Sequence, residues 1–438
     1  MYDDRMFIFT LFEQKRTPSH ALAACILLMV IGATNPSFAE NPGQERPRDE
    51  LRPVLDFMVL PSIQYAHTDI WRHTPTGAHP VLSAANDVEI VPGQRLDLLV
   101  FASRYGTNAE GQASITCDVS IHRPDGKIQP LPDPVVVADH AKTSAPVILL
   151  SQRIVSFTPE PDDPAGPYRF EFLAHDLVTG VAATRSVIVR VGDSPESIEL
   201  PKGSDPAAFM TGYYQRPQPQ LALPMLTALA RSPLAQEKAD ALGALIGFHA
   251  QILADNPWLL SRFCNRFTAT ADRDERHLLA LVLAYATRDN PAFREGLTST
   301  VQRRLVDADA ENLRPPTPEP TSGGQLDILW GQFFASGRFE PIASLVNITE
   351  RYLPYLGKME AFRHLDSKPK VVPPEVYKDA ILGSAIWSLR SNASRHKLVH
   401  DYLLGLQESN TASPARRRVL SLIIGEKTRQ LPAGAASH

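Results

Sequence analysis

The feature that most constrains this chain is a change in hydrophobic period. Between about residues 55 and 195 apolar residues recur at every second position, and from about 213 onward they recur at every third or fourth. Period two belongs to strands with one face buried, and the longer period belongs to helices carrying an apolar stripe. A chain of 438 residues that changes period once is expected to hold two domains of different class, because one hydrophobic core rarely grows to that size.

In the first half, "DVEIVPGQRLDLLVFAS" alternates on each side of Pro92-Gly93, and "ASITCDVSIHRPDGKI" does so around Pro124-Asp125-Gly126. "APVILLSQRIVSFTPE" is a third run, and "GPYRFEFLAHDLVTGVAATRSVIVRVGD" a closing hairpin turning at Thr179-Gly180. Short strands separated by Pro, Gly and Asp turns predict an antiparallel sandwich over 55–195. Residues 196–212, "ESIELPKGSDPAAFMTG", are expected to link it to a helical region over 213–430.

That region repeats. "FHAQILADNPWLLSRFCNRF" and "LVLAYATRDNPAFREGLTSTV" superpose Asp255-Asn256-Pro257 on Asp289-Asn290-Pro291 at a shift of 34 positions. Leu245 then meets Leu279 and Phe263 meets Leu297. An Asn that ends one helix and a Pro that starts the next make a tight hairpin. A period of 34 is that of tetratricopeptide-type pairs, although their Trp, Gly and Tyr signature is incomplete in both copies. In "LDILWGQFFASGRF", Leu326, Leu329/Trp330 and Phe333/Phe334 follow the spacing of a buried helix face. A third hairpin is therefore expected, with Gly337 ending its first helix and Pro341 opening its second. A later helix carries Ile386, Trp387 and Leu389. Stacked hairpins of this kind form a short solenoid.

The "GPYRFEF…DLVTG" ending resembles the last hairpin of immunoglobulin-like domains in bacterial secreted proteins. "YYQRPQPQLALPMLTALA" from Tyr213, "FHAQILADNP" from Phe248, "LDILWGQFFASGRFEPI" from Leu326 and "AIWSLRSNASRHKLV" from Ala385 together resemble an uncharacterised group of bacterial secreted or periplasmic helical proteins, covering most of 213–405. The resemblance implies an α+β multidomain chain, an immunoglobulin-like β-sandwich followed by a tetratricopeptide-like, solenoid-like helical domain. It attaches no activity.

The N-terminus predicts a secretory signal peptide over 1–39. Lys15 and Arg16 precede thirteen apolar residues, Ala21 to Ala33, and Ser37-Phe38-Ala39 offers the small-x-small cleavage pattern. Cleavage is expected after Ala39, leaving a charged, proline-rich leader over 40–54, a tail over 431–438 and a periplasmic or secreted protein. Thirteen residues fall short of the roughly 20 a spanning helix needs, so no membrane span is expected after cleavage. Cys117 and Cys264 are then the remaining cysteines, too few for a disulfide framework or a cysteine zinc site, and are expected as buried thiols. A formal charge of −4, with Arg416-Arg417-Arg418 as the one compact basic run, gives no field for nucleic acid.

Linear catalytic motifs such as HExxH, GxSxG, a Walker glycine loop or CxxC are absent from the sequence, and no cofactor is expected. In "HTDIWRH" a strand would put His67, Asp69 and His73 on one face, where two imidazoles and a carboxylate suit zinc. A polar surface strand is the competing reading. "SRHKLVHD" spaces His396 and His400 four apart, hence on one helical face beside Asp401, as a metal pair or as a solvated face. Asp307, Asp309 and Glu311 alternate as in calcium loops but lack the turn glycine and closing glutamate. Tyr213-Tyr214 suits either an exposed contact or a seal between the domains. The expectation is a non-enzymatic scaffold that binds another protein or a cell-envelope component. The alternative is an envelope hydrolase or metal-dependent enzyme with its site at the domain junction.

Overall fold

The computed structural model describes residues 55–64, 66–75, 88–142, 148–192, 200–232, 242–288, 319–320, 322–365, 371–409 and 412–425. The signal-peptide, leader and tail segments, the acidic run 307–311 and the second helix of the second repeat lie outside these residues. Residues 55–438 fall in one compact unit, mixed α and β, with the β-rich part first and the helical part second. Among the described residues no helix is long and apolar enough to cross a membrane.

Among the described residues ten strands form two sheets. In the first, β1 (Asp56–Ser62), β3 (Leu96–Ser103) and β7 (Leu149–Leu150) lie in that order, with β8 (Val155–Phe157) also on β3. The second sheet has the order β2 (Val88–Ile90), β10 (Ala182–Val191), β9 (Gly166–Asp176), β4 (Gln112–His122), β5 (Ile128–Pro130), and β6 (Val135–Lys142) also pairs with β4. All pairs are antiparallel except β2 with β10. Alternate residues of both sheets share one core: Phe57 and Val59, Leu98 and Val100, Ile115 and Cys117, Phe170 and Phe172. The period-two pattern is therefore the record of one buried face per strand.

Strand β3 departs from that pattern. Its segment "LDLLVFAS" is buried at nearly every position, because its second face, Leu99 and Phe101, is covered as well. The cover is Trp71, edge-on to Phe101 with ring centroids 4.9 Å apart. A strand covered on both faces needs an unbroken apolar run, which is what Leu98 to Ala102 supply.

In the helical part, α1 (Ala66–His73) comes from the β-rich half of the sequence and is treated below. It is followed by α2 (Pro206–Gly212), α3 (Ala222–Ala230), α4 (Gly243–Asp255), α5 (Leu260–Ala269) and α6 (Arg273–Arg288). Then come α7 (Gly323–Ser336), α8 (Phe339–Tyr352), α9 (Lys358–Arg363), α10 (Pro374–Arg395), α11 (Lys397–Glu408) and α12 (Pro414–Ile424). The hairpin expected at Asn256-Pro257 is present between α4 and α5: Asn256 donates its side-chain amide to the Ile252 carbonyl at 2.9 Å, and Pro257 opens the next turn. Gly337 ends α7 with φ of 65°. The following helix begins at Phe339, two residues before the expected Pro341.

Helices α4 and α7 lie along one another with glycine at the contact. A Cβ on Gly331 would stand 2.1 Å from the Ala244 carbonyl oxygen and 2.6 Å from the Phe248 nitrogen, and one on Gly247 would stand 2.3 Å from the Ile328 oxygen. Backbone atoms cannot swing aside as side-chain ends can. Gly331→Ala is expected to lower stability by about 1–3 kcal/mol, the usual range for overpacking. Gly383→Ala, in α10 where a Cβ meets nothing, should leave the melting temperature unchanged or raise it, since alanine is the better helix former. Equal melting shifts for the two variants would refute this account of the α4–α7 contact.

Cys117 and Cys264 are buried free thiols. Burial pushes them up to about 12 and about 11 respectively, so neither is a ready nucleophile at neutral pH. Asn347-Ile348-Thr349 and Asn392-Ala393-Ser394 fit the pattern of a glycosylation acceptor; Asn347 lies in α8 and Asn392 is buried in α10.

Candidate functional site

The strand reading of "HTDIWRH" is corrected by the structure, which places these residues in α1. The helix stops where it does because Pro75 disfavours a helical residue before it, and Thr74 closes the last turn by donating both its amide and its hydroxyl to the Ile70 carbonyl. Helical geometry separates the three residues that a strand would align. Asp69 and His73, four apart, share a face, whereas His67, two positions before Asp69, does not. His67 is half-buried, its Nδ1 2.8 Å from the Ser62 hydroxyl, and burial holds its pKa below the ordinary value. Ser62 is itself buried and also receives the Gln64 amide at 2.9 Å.

Asp69 reaches across to α8. Its Oδ2 accepts the Phe339 backbone N–H at 2.9 Å, and Arg338, at the helix's own N-cap position, makes no side-chain capping bond. The first turn of a helix has orphan N–H groups and the positive end of the dipole, so a carboxylate supplied by α1, 270 positions away, does the capping. His73, one turn on, stacks on the Phe339 ring with centroids 4.0 Å apart and an interplanar angle of 9°. Burial lowers its pKa, Asp69 opposing and Arg72 assisting. Two glycines make room for α1: a Cβ on Gly405 of α11 would stand 2.0 Å from the His73 oxygen, and one on Gly337 would press on Ala66 and Tyr214.

Asp69→Ala is expected to cost about 1–2 kcal/mol, the usual loss for a removed N-cap, with Asp69→Asn recovering most of it because an amide oxygen also caps. Urea denaturation of the two variants measures the difference. Indistinguishable midpoints would show that the bond to Phe339 contributes nothing.

Beside this contact is an open cleft of about 370 Å³ between the β-rich and helical parts. Asp69 and His73 line it from α1, Arg95 and Asp97 from the start of β3, Ile154 from the loop before β8, and Arg338, Phe339 and Glu340 from the α7–α8 turn. Arg95 grips Asp97 at two points, 2.8 and 3.0 Å, and the Ser156 hydroxyl donates to the same carboxylate at 2.7 Å. Arg338 donates to Asp255 at 2.7 Å, whose other oxygen accepts from Gln251 at 3.0 Å. Burial pushes the Asp255 carboxyl above the ordinary carboxylate range, with Arg338 opposing. Glu340 is exposed and makes no side-chain hydrogen bond among the described residues.

The histidine pair of "SRHKLVHD" is not brought together on one helix. His396 sits at the N-cap position between α10 and α11, while His400 lies inside α11. The His396 ring is half-buried against Phe334 and Tyr214, its Nδ1 3.4 Å from the tyrosine hydroxyl, and burial lowers its pKa. His400 is half-exposed, 3.7 Å from the Asp401 carboxylate. Among the described residues no group of three or more His, Cys, Asp or Glu is placed to hold a metal ion. Tyr213 and Tyr214 are both buried, the sealing arrangement and not the exposed one. Arg95, Asp97, Arg338 and Glu340 were not singled out in the sequence. The available signal was Asp97, a lone carboxylate within an apolar run, since such a group is rarely buried unpaired.

No family model matches the chain, and no curated protein matches it. Among solved structures, a family 123 glycoside hydrolase from Clostridium perfringens, described for glycolipid glycan hydrolysis, is 10% identical over 40% of this chain, with a TM-score of 0.21. The match spans 35% of that enzyme.

Proposed function

We propose that this chain is a non-enzymatic periplasmic or secreted scaffold that binds another protein or a cell-envelope component, with the cleft beside α1 as its contact site. The reading takes the β-rich part as an immunoglobulin-like sandwich and the helical part as tetratricopeptide-like. One observation carries it. The ionised groups lining the cleft are mostly engaged already, Arg95 with Asp97, Arg338 with Asp255 and Asp69 with the α8 N-terminus. Groups so engaged keep their geometry, which suits a preformed binding surface better than a site whose side chains must be released to act on a substrate. The test is retention of envelope and periplasmic components on the immobilised chain, compared with a Glu340→Ala/Arg95→Ala variant. A component held by the native chain and lost from the variant is expected. Repeated failure to retain anything refutes the reading, and equal retention by the variant removes the cleft from it. N-terminal sequencing after export should begin at Glu40.

The second reading, an envelope hydrolase with its site at the junction, is favoured by the presence of Asp69 and His73 in that cleft. It requires turnover of an envelope polymer that Asp69→Asn abolishes while the fold survives.

A further inference from the structure

We infer that the cleft beside α1 binds a neutral, polyhydroxylated ligand, a saccharide of the cell envelope. The inference rests on the binding reading above and adds the ligand's chemistry.

Charge is the first discriminator. An anion entering the cleft would meet Asp69, Asp97 and Glu340, and a cation would meet Arg95 and Arg338. Each guanidinium also faces its own carboxylate at 2.7–3.0 Å. A charged ligand gains little from ions already paired, and separating a partly buried pair leaves one member uncompensated. A neutral ligand loses nothing to repulsion and needs no pair to open.

Hydrogen-bonding character is the second. The wall mixes acceptors with planar donors held at fixed angles, Asp97 being locked from two sides by Arg95 and the Ser156 hydroxyl. The Arg95 side chain is about half exposed at 47% and Arg338 about a third at 32%, so both present surface to the cleft while held. A hydroxyl group is donor and acceptor at once. A ligand bearing many hydroxyls can therefore match a mixed, rigid array, and the fixed geometry lowers the ordering cost of binding.

Shape is the third. Ile154 and the half-buried Phe339, whose ring stacks on His73, add apolar atoms to the lining that the C–H groups of a pyranose can contact. The volume of about 370 Å³ lies at the small end of ligand pockets, and the opening to solvent lets the rest of a longer chain lie outside.

The test uses the full exported protein and three neutral trisaccharides, maltotriose, cellotriose and chitotriose, with trigalacturonate as the anionic counterpart. Saturation-transfer NMR and calorimetry report binding. At least one neutral trisaccharide is expected to bind, and more tightly than trigalacturonate. Glu340→Gln, at an exposed position with no packing role, should weaken it by roughly tenfold or more, as for a lost hydrogen bond to a charged group, with melting unchanged. Arg95→Lys should weaken it similarly. Binding of none of the neutral sugars, preference for the anionic one, or affinity unmoved by both variants overturns the inference. The native chain in the envelope-retention assay separates the two claims. A component retained by the native chain with no saccharide bound leaves the scaffold reading standing and removes the saccharide, whereas a native chain that retains no component and binds no saccharide removes both.

Discussion

Replacing Trp330 with alanine is expected to lower the stability of the protein by about 3–5 kcal/mol, the range for deleting a fully buried large aromatic side chain. Trp330 is only 1% exposed. Its ring stacks on Phe334 with centroids 6.0 Å apart and meets Phe333 edge-on, and its indole N–H donates to the Ser388 hydroxyl at 3.1 Å. The loss therefore combines removed apolar burial, a cavity between α7 and α10, and a buried hydroxyl deprived of its donor. Trp330→Phe should recover most of the packing and forfeit the hydrogen bond, placing it between the native protein and the alanine variant. Thermal or urea denaturation ranks the three proteins. An alanine variant that melts like the native protein would mean that this aromatic box is not core.

The second large effect is a loss of stability in acid traceable to one side chain. His249 is fully buried in α4, with Nδ1 donating to the Leu245 carbonyl at 2.9 Å. Burial lowers its pKa from 6.5 to about 4, the Leu245 carbonyl opposing only in part. Between those two pH values the unfolded chain holds a proton on His249 that the folded chain does not, so stability falls as pH falls from 6.5 toward 4. A shift of that size is worth roughly 3 kcal/mol. His249→Leu removes the charge cost, and its stability should decline less than that of the native protein between pH 7 and pH 4. Parallel declines would refute the assignment. Burial also lowers His67, His73 and His396, which gives further losses of the same sign. Asp327 works against them. Burial raises its carboxyl to about 7, so its contribution is complete below the ordinary carboxylate range and is lost as pH rises through 7. Asp327→Asn should therefore steepen the net acid decline, and this variant isolates the opposing slope.

Much of the local architecture was legible because each local pattern reports one neighbour. The alternation through Tyr168, Phe170 and Phe172 reports one buried sheet face, whereas the stripe through Leu326, Trp330 and Phe333 marked a buried helix but not that α7 is buried on nearly every side, Gln325, Asp327 and Ile328 included. Asn256-Pro257 encodes its turn within a few residues. Segment α1 was not legible because it has partners on more than one side. Trp71 packs on β3, Asp69 and His73 meet α8, and His67 bonds to Ser62. At eight residues the helix makes barely two turns, too few for its period to stand out, and its alternating residues imitated a strand.

The candidate site divides along the same line. Asp69 and His73 were noticed as residue types, but for a metal role that depended on a strand. Arg95, Asp97, Arg338 and Glu340 gave no joint signal, since β3 and the α7–α8 turn lie more than two hundred positions apart. By itself the sequence determined the order of a β-rich part and a helical part, the buried stripe around Trp330 and the turns between neighbouring elements, because period and turn chemistry act over a few residues. Only the tertiary structure decided that an aspartate from one half caps a helix of the other and that paired charges line a cleft beside it. Those contacts depend on distances in space that no local spacing along the chain encodes.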